Sequence, residues 1–364
     1  MMRHFILAAL CMALFLPLTI SAQKVAIHYT EARDLTLVGN LFPDTPNPYH
    51  RLDTARYKGL ERSDYSYSLQ SSGLSVAFRT DSPQIWIQTD YVYRRNGTIS
   101  SRYALQGYDL YIKQNGKWLW AAAGVSDEKA PDKPFTLIRG MDGKMHECLL
   151  YFHLFSEVRS VKIGVQKGLE ITPMENPFRH RVGIFGSSFT HGSGTTRSGM
   201  TYPAIFSRDT GIQLLSLGVN GRARLQPGFA RALADADVDA YLFDAFSNPS
   251  IEQIEERLFP FIETIQAKHP DIPLIFLRTI YREGRNFNMS MRKFEEERLA
   301  VADSLMGIAC RKYRNVYYVK STDAASKEHD TSVDGTHPSD FGYYFWARSI
   351  EKPVLRILRK YDIR

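Results

Sequence analysis

Arg181-Val-Gly-Ile-Phe-Gly-Ser-Ser-Phe-Thr-His-Gly192 is the stretch from which the fold is read. Val182 to Phe185 is a short apolar run with the look of a buried strand. Gly186 breaks it, and Ser187 and Ser188 sit where the chain must turn toward a helix. A serine at the carboxyl end of a parallel strand lies in the crevice where open α/β sheets bind ligands. Backbone N–H groups at that turn can face a developing oxyanion. The same residues also suit an ordinary strand-to-loop transition, because Gly-Ser pairs are common turn material.

A second stretch, Val333-Asp-Gly-Thr-His-Pro-Ser-Asp-Phe-Gly342, supplies what Ser188 lacks. A serine hydroxyl needs a neutral imidazole to take its proton, and the imidazole needs a carboxylate to fix its tautomer. Asp334 and His337, three residues apart before the last helix, can deliver both from one short loop. Asp244 is the rival acid, at the end of an expected strand. His191 is the rival base, although a histidine so close to the serine in sequence more often lines a pocket. His153, His180, His269 and His329 carry no supporting pattern.

These motifs resemble the blocks of the SGNH (GDSL-like) hydrolases. GSSFTHG at 186–192 is similar to the first block, with Ser188 in the nucleophile position. LGVNG at 217–221 resembles the second and implies Gly221 as an oxyanion-hole N–H donor. FDAFSNPS at 243–250 resembles the third and implies Asn248 as a side-chain donor, and DGTH at 334–337 matches the fifth. GYDLY at 107–111 resembles the marker of an amino-terminal domain fused to one SGNH subfamily. Two positions depart from the family pattern: Ser187 stands where the family usually has Asp, and Ser247 where Gly usually precedes the third-block Asn. Position 187 is not the nucleophile, so its change bears on packing more than on chemistry. Gly221 also reads as a plain turn glycine, and Asn248 as a cap for a helix starting near Ser250. Position 190 is Thr, so the Gly-x-Ser-x-Gly elbow of α/β-hydrolases is absent.

The chain has 364 residues, 44% hydrophobic and 23% charged, enough for two domains. Arg3 and His4 precede an apolar run from Phe5 to Leu16, and Ile20-Ser21-Ala22 leads to Gln23, the pattern of a secretory signal peptide cleaved after Ala22. A transmembrane anchor would need a longer apolar run. Leu10 before Cys11 disfavours lipid attachment there. Cys148 and Cys310 remain, one per expected domain. Two free buried thiols are favoured over an interdomain disulfide, and no metal or cofactor site is expected. The formal charge of +7 is scattered over the chain, which argues against nucleic-acid binding.

From residue 23 to 173 short aromatic and β-branched runs alternate with turn signals. Strands are expected at 65–69, 74–79, 84–89, 108–113, 118–122, 147–152 and 158–165, forming a jelly-roll-like β-sandwich. Asn115-Gly116 predicts a type I′ hairpin. Trp118 and Trp120 share a strand face, as core residues or as a sugar platform, and Tyr91, Tyr93, Arg94 and Arg95 fall in an expected loop. Asp109 of GYDLY reads as structural. Residues 170–180 form the expected linker. From 174 to 364 the rhythm becomes strand–helix, with strands at 181–185, 213–219, 238–244, 273–280 and 315–320 and helices near 201–210, 227–236, 250–268, 288–313 and 339–360. Pro260 and Pro353 are expected to bend or interrupt two of these helices. That alternation implies a parallel sheet covered on both faces, the flavodoxin-like three-layer α/β/α arrangement that the resemblance also implies.

The function implied is a secreted or periplasmic serine esterase. Its expected substrate is an O-acyl group on carbohydrate, O-acetyl foremost, cleaved through a Ser188–His337–Asp334 triad. A lipase or acylhydrolase acting on lipid or small acyl esters is the first alternative. A non-catalytic carbohydrate-binding protein is the second.

Overall fold

A computed structural model describes residues 25–320, 327 and 329–364. The expected signal peptide, with Cys11, lies outside the described residues. The first half contains β1 (Ile27–Glu31), β2 (Thr36–Val38), β3 (Ser75–Thr80), β4 (Gln84–Tyr93), β5 (Tyr108–Gln114), β6 (Lys117–Gly124), β7 (Phe135–Arg139), β8 (His146–Tyr151), β9 (Glu157–Gln166) and β10 (Ile171–Pro173). They form two antiparallel sheets, β1-β9-β4-β7 and β10-β3-β8-β5-β6, with β2 paired to β3. Alternate residues turn inward, as strand geometry requires. Val76, Phe78, Leu110 and Leu150 of one sheet meet Ile85, Ile87, Val161 and Ile163 of the other in one buried cluster. The hairpin is as expected: Asn115 and Gly116 both have positive φ, 51° and 76°, between Gln114 and Lys117.

Several expectations give way here. Residues 65–69 are not a strand but lie largely in helix α1 (Arg62–Ser68). Tyr65, Tyr67 and Leu69 alternate as in a strand, but Glu61 and Asp64 close a capping box that starts the helix. The linker shrinks, since Ile171–Pro173 pairs with β3 and the next strand begins at Arg179. Tyr91 and Tyr93 belong to β4 rather than a loop. Cys148 and Cys310 are both free, but Cys310 is exposed rather than buried.

The second half is built on β11 (Arg179–Gly186), β12 (Ile212–Gly218), β13 (Ala240–Asp244), β14 (Leu274–Leu277) and β15 (Val316–Val319), all parallel, in the order β12-β11-β13-β14-β15. One face carries α4 (Tyr202–Thr210) and α8 (Asp340–Leu358), whose Tyr202, Ile205, Trp346 and Ile350 pack on Val182, Ile184 and Leu242. The other carries α5 (Pro227–Ala234), α6 (Ile251–Gln266) and α7 (Met289–Lys312), where Phe229, Ile254, Leu258 and Ala302 pack on Phe185, Phe243 and Phe276. This is the three-layer α/β/α architecture. Pro260 and Pro353 do not interrupt their helices, which run continuously across both. From β11 the chain moves to β12 on one side, then crosses to β13 on the other. That reversal opens a crevice at the carboxyl ends of these strands.

The two halves are joined by more than the linker. Leu41, Phe42, Leu52 and Tyr57, which lie between β2 and β3, belong to the same core cluster as Phe185, Leu217 and Tyr241. Arg51, fully buried, donates to the carbonyls of Tyr67, Gln70 (2.6 Å) and, at the end of β12, Gly218 (2.8 Å). Asp109 fastens a second joint: its carboxylate accepts from Arg197 (2.8 Å), the Gly199 N–H (2.8 Å) and the Trp120 indole (3.0 Å).

Candidate active site

Gly186 ends β11, and Ser187 caps the short helix α3 (Ser188–His191), its Oγ accepting from the Phe189 N–H (3.1 Å). Ser188 is therefore the first residue of that helix, 5% exposed. Its Oγ lies 2.9 Å from His337 Nε2. His337 Nδ1 lies 2.8 Å from Asp334 Oδ2, while the other carboxylate oxygen accepts the backbone N–H groups of His337 (2.7 Å) and Thr336 (2.9 Å). Burial would raise the Asp334 pKa, but hydrogen bonds from the His337 backbone and ring and from Thr336 outweigh it. The carboxyl is held below its ordinary range. Phe189 packs edge-on against the His337 ring, 5.8 Å between centroids. Ser188 and the Asp334–His337 pair, with 149 positions between Ser188 and His337, are thus brought into one hydrogen-bonded line.

The rivals are placed elsewhere. His191 is fully buried, bonded through Nε2 to the Leu154 carbonyl (2.7 Å) and stacked on Phe155 at 4.2 Å. Burial, with Arg51 nearby, drives its pKa well below the usual value, so it is a neutral core residue. His153 is likewise buried, its pKa pushed down to about 3. Asp244 sits beneath the nucleophile turn. It accepts from the Ser187 N–H (3.1 Å), Ser187 Oγ (2.7 Å), Thr190 Oγ1 (3.1 Å) and Ser247 Oγ (3.0 Å). Burial raises its pKa despite those bonds. Both departures from the family pattern, Ser187 and Ser247, are thus bonded to this one carboxylate.

Gly221 turns at φ 70°, a left-handed conformation that L side chains rarely adopt, which accounts for a glycine where a Cβ would meet only open space. Asn248 follows β13, and its Oδ1 accepts the Ala223 N–H (3.2 Å). It does not cap α6; Ser250 does, through the Gln253 N–H (3.2 Å). The Asn248 amide N–H₂ and the backbone N–H groups of Ser188 and Gly221 meet no protein acceptor among the described residues. Trp120 is 54% exposed on the edge strand β6, so it is not a core residue. No helix among the described residues is long and apolar enough to cross a membrane.

Comparison with known proteins follows the geometry. The profile of the GDSL-like lipase/acylhydrolase family matches residues 179–356, and that of the GxDLY amino-terminal domain of SGNH-type esterases matches residues 27–171. A candidate GDSL-like lipase from Bacteroides ovatus shares 34% identity with a TM-score of 0.87, over 92% of this chain and 98% of its own. The chain belongs to the GDSL-like SGNH hydrolases. It is an ester hydrolase of that type. More distant structures share the fold. They include the salicylyl-acyltransferase SsfX3 of a tetracycline biosynthetic pathway (19% identity, TM-score 0.66, 93% and 99% covered) and a family two carbohydrate esterase of Cellvibrio japonicus (12%, 0.59, 92% and 99%). No curated protein matches in sequence.

The SGNH motifs do not include everything that surrounds the site. Arg282 and Arg298 both donate to the Ser247 carbonyl (2.9 Å each) and share the buried Glu295, and the Arg282 guanidinium stands 5.4 Å over the Phe189 ring. No spacing rule marks these residues, because they come from a loop and a helix and meet only in the folded chain.

Proposed function

We propose that this SGNH hydrolase is a secreted serine esterase that removes O-acyl groups, O-acetyl foremost, from carbohydrate. Ser188 Oγ attacks the ester carbonyl carbon while His337 Nε2 takes its proton. The Ser188 and Gly221 N–H groups and the Asn248 amide hold the tetrahedral oxyanion. Collapse expels the sugar alcohol, which leaves with the proton from His337. Water, deprotonated by the same imidazole, then releases the acid and frees Ser188. Asp334 keeps the imidazole in its reactive tautomer without itself being protonated. The observation that carries this reading is the 2.9 Å contact of Ser188 Oγ with an imidazole already tied to a carboxylate.

Carbohydrate is favoured as the alcohol because several structures of like fold are family two carbohydrate esterases, one in complex with cellohexaose. The apolar segment Phe5 to Leu16 and the cleavage pattern at Ala22 support action outside the cytoplasm. The test is acetate release from acetylated polysaccharides, with 4-nitrophenyl acetate and a long-chain ester alongside. The expected outcome is acetate release that falls by ~10⁴–10⁶ in Ser188→Ala. Hydrolysis of the long-chain ester alone would move the substrate to lipid, and equal rates in wild type and Ser188→Ala would remove the catalytic assignment.

A further inference from the structure

Three consecutive residues after β14, Arg282-Glu283-Gly284, touch both halves of the site. Arg282 holds the Ser247 carbonyl next to Asn248. The Gly284 N–H donates to the carbonyl of Gly335 (2.7 Å), between Asp334 and Thr336. That approach is so close that a Cβ on Gly335 would stand 3.0 Å from the Gly284 Cα. Between them, the Glu283 carboxylate accepts four hydrogen bonds. Oε1 takes the Thr331 N–H (2.7 Å) and Thr331 Oγ1 (2.6 Å). Oε2 takes the Ser332 N–H (2.9 Å) and Ser332 Oγ (2.8 Å). Ser332 Oγ in turn accepts the Gly335 N–H (3.1 Å), and the Val333 N–H donates to the His337 carbonyl (2.8 Å). A chain of bonds therefore runs from Glu283 through Ser332 into the turn that presents Asp334 and His337.

We infer that Glu283 is the positioning residue of the acid–base loop, setting where His337 stands relative to Ser188. The inference rests on the esterase reading above. The loop itself is short, bears the turn glycine Gly335 at φ 81°, and leaves Val333 45% exposed, so that beside the edge of Phe189 against the His337 ring its hold is largely polar. Its position is set by polar contacts, of which the Glu283 carboxylate receives four. A carboxamide there has one oxygen to accept with, and its N–H₂ would face the Ser332 N–H as donor against donor. Displacing a reacting group by ~1 Å can cost about 10²-fold in rate.

The experiment compares Glu283→Gln, Ser332→Ala and the exposed-pair control Glu263→Gln with wild type. It reads ester hydrolysis, the rate of Ser188 labelling by a fluorophosphonate, and thermal melting. The expected result for Glu283→Gln is a kcat lower by ~10–10²-fold with KM within threefold and labelling slowed in parallel. Ser332→Ala should show a smaller loss of the same kind, Glu263→Gln none, and the melts should remain cooperative. Combined with Asp334→Asn, Glu283→Gln should add almost nothing, because both act through His337. Wild-type kcat and labelling rate in Glu283→Gln would overturn the inference, as would full additivity. Should Glu283→Gln fail to fold, Ser332→Ala decides: unchanged labelling overturns the proposal and slowed labelling supports it. A wild type that is labelled but hydrolyses no ester would overturn the substrate reading alone, leaving labelling to judge Glu283. A wild type that is not labelled would overturn both.

Discussion

The two ends of the Ser188–His337 contact are built in opposite ways. The nucleophile turn is buried, its neighbours Ser187, Thr190 and Ser247 all bonded to one carboxylate, Asp244, from the adjacent strand. The acid–base loop lies near the surface, with the Asp334 side chain 32% exposed, and is tied down by the backbone N–H groups it donates. Burial raises the pKa of Asp244, whereas hydrogen bonds outweigh burial and lower that of Asp334. A serine whose pose is packed in place is met by a histidine that, apart from the Phe189 edge against its ring, is held by hydrogen bonds. Errors of position are therefore expected first on the histidine side.

The largest effect that would sharpen this contrast is Asp334→Asn. With the imidazole tautomer no longer fixed, kcat should fall by ~10⁴, far more than the accompanying loss of stability would explain. Loss of stability matching the loss of rate would break the comparison. Next is Asn248→Ala, which removes one of the three donors that meet no protein acceptor among the described residues and should cost ~10²–10³ in kcat at similar KM. Steady-state kinetics on 4-nitrophenyl acetate read both.

The smallest expected effect is on stability. Asp244→Ala leaves the Ser187 N–H and the Ser187 and Ser247 hydroxyls without this acceptor, and the Thr190 hydroxyl with Tyr202 alone, for a loss of ~1–3 kcal/mol by denaturant titration. Its pH dependence should oppose that of the other loop. Asp244 has a raised folded pKa, so its favourable contribution is greatest when protonated and declines as pH rises through the unfolded and then the folded value. Asp334 and Glu283 have lowered folded values. Their contribution is complete above the unfolded carboxylate pKa and is lost as pH falls through the folded one. The destabilisation by Asp244→Ala should therefore grow toward acid pH, and that by Asp334→Asn or Glu283→Gln should shrink. Equal slopes would contradict the contrast.

Much of this was legible in the sequence because the chemistry is written in short, local strings. GSSFTHG and DGTH put Ser188 and the Asp334–His337 pair at recognisable spacings, and strand–helix alternation from Arg181 sets the parallel sheet. What was illegible depends on distance along the chain. Glu283 meets its partners 48 and 49 residues away, and Asp244 meets Ser187 57 residues away, with no period to announce either. The helix at Arg62–Ser68 is hidden in the sequence for a different reason. Its aromatic residues alternate as a strand's would, and only the capping box and its packing against the second half make it helical.

Arg51 carries a consequence for how the protein is made. Its carbonyl partner on Gly218 lies 167 residues further along the chain. At ribosomal rates of ~5–20 residues per second, that partner is polymerised roughly ten to thirty seconds after Arg51 itself. During that interval Leu41, Phe42, Leu52 and Tyr57, whose burial needs β11 to β13, have nothing of their own to cover them. A β-sandwich released at residue 173 would keep that apolar strip uncovered for good. The amino-terminal half is thus expected to ripen only after the esterase half has been synthesised. A truncation meant to isolate either half should yield aggregation in place of two soluble pieces.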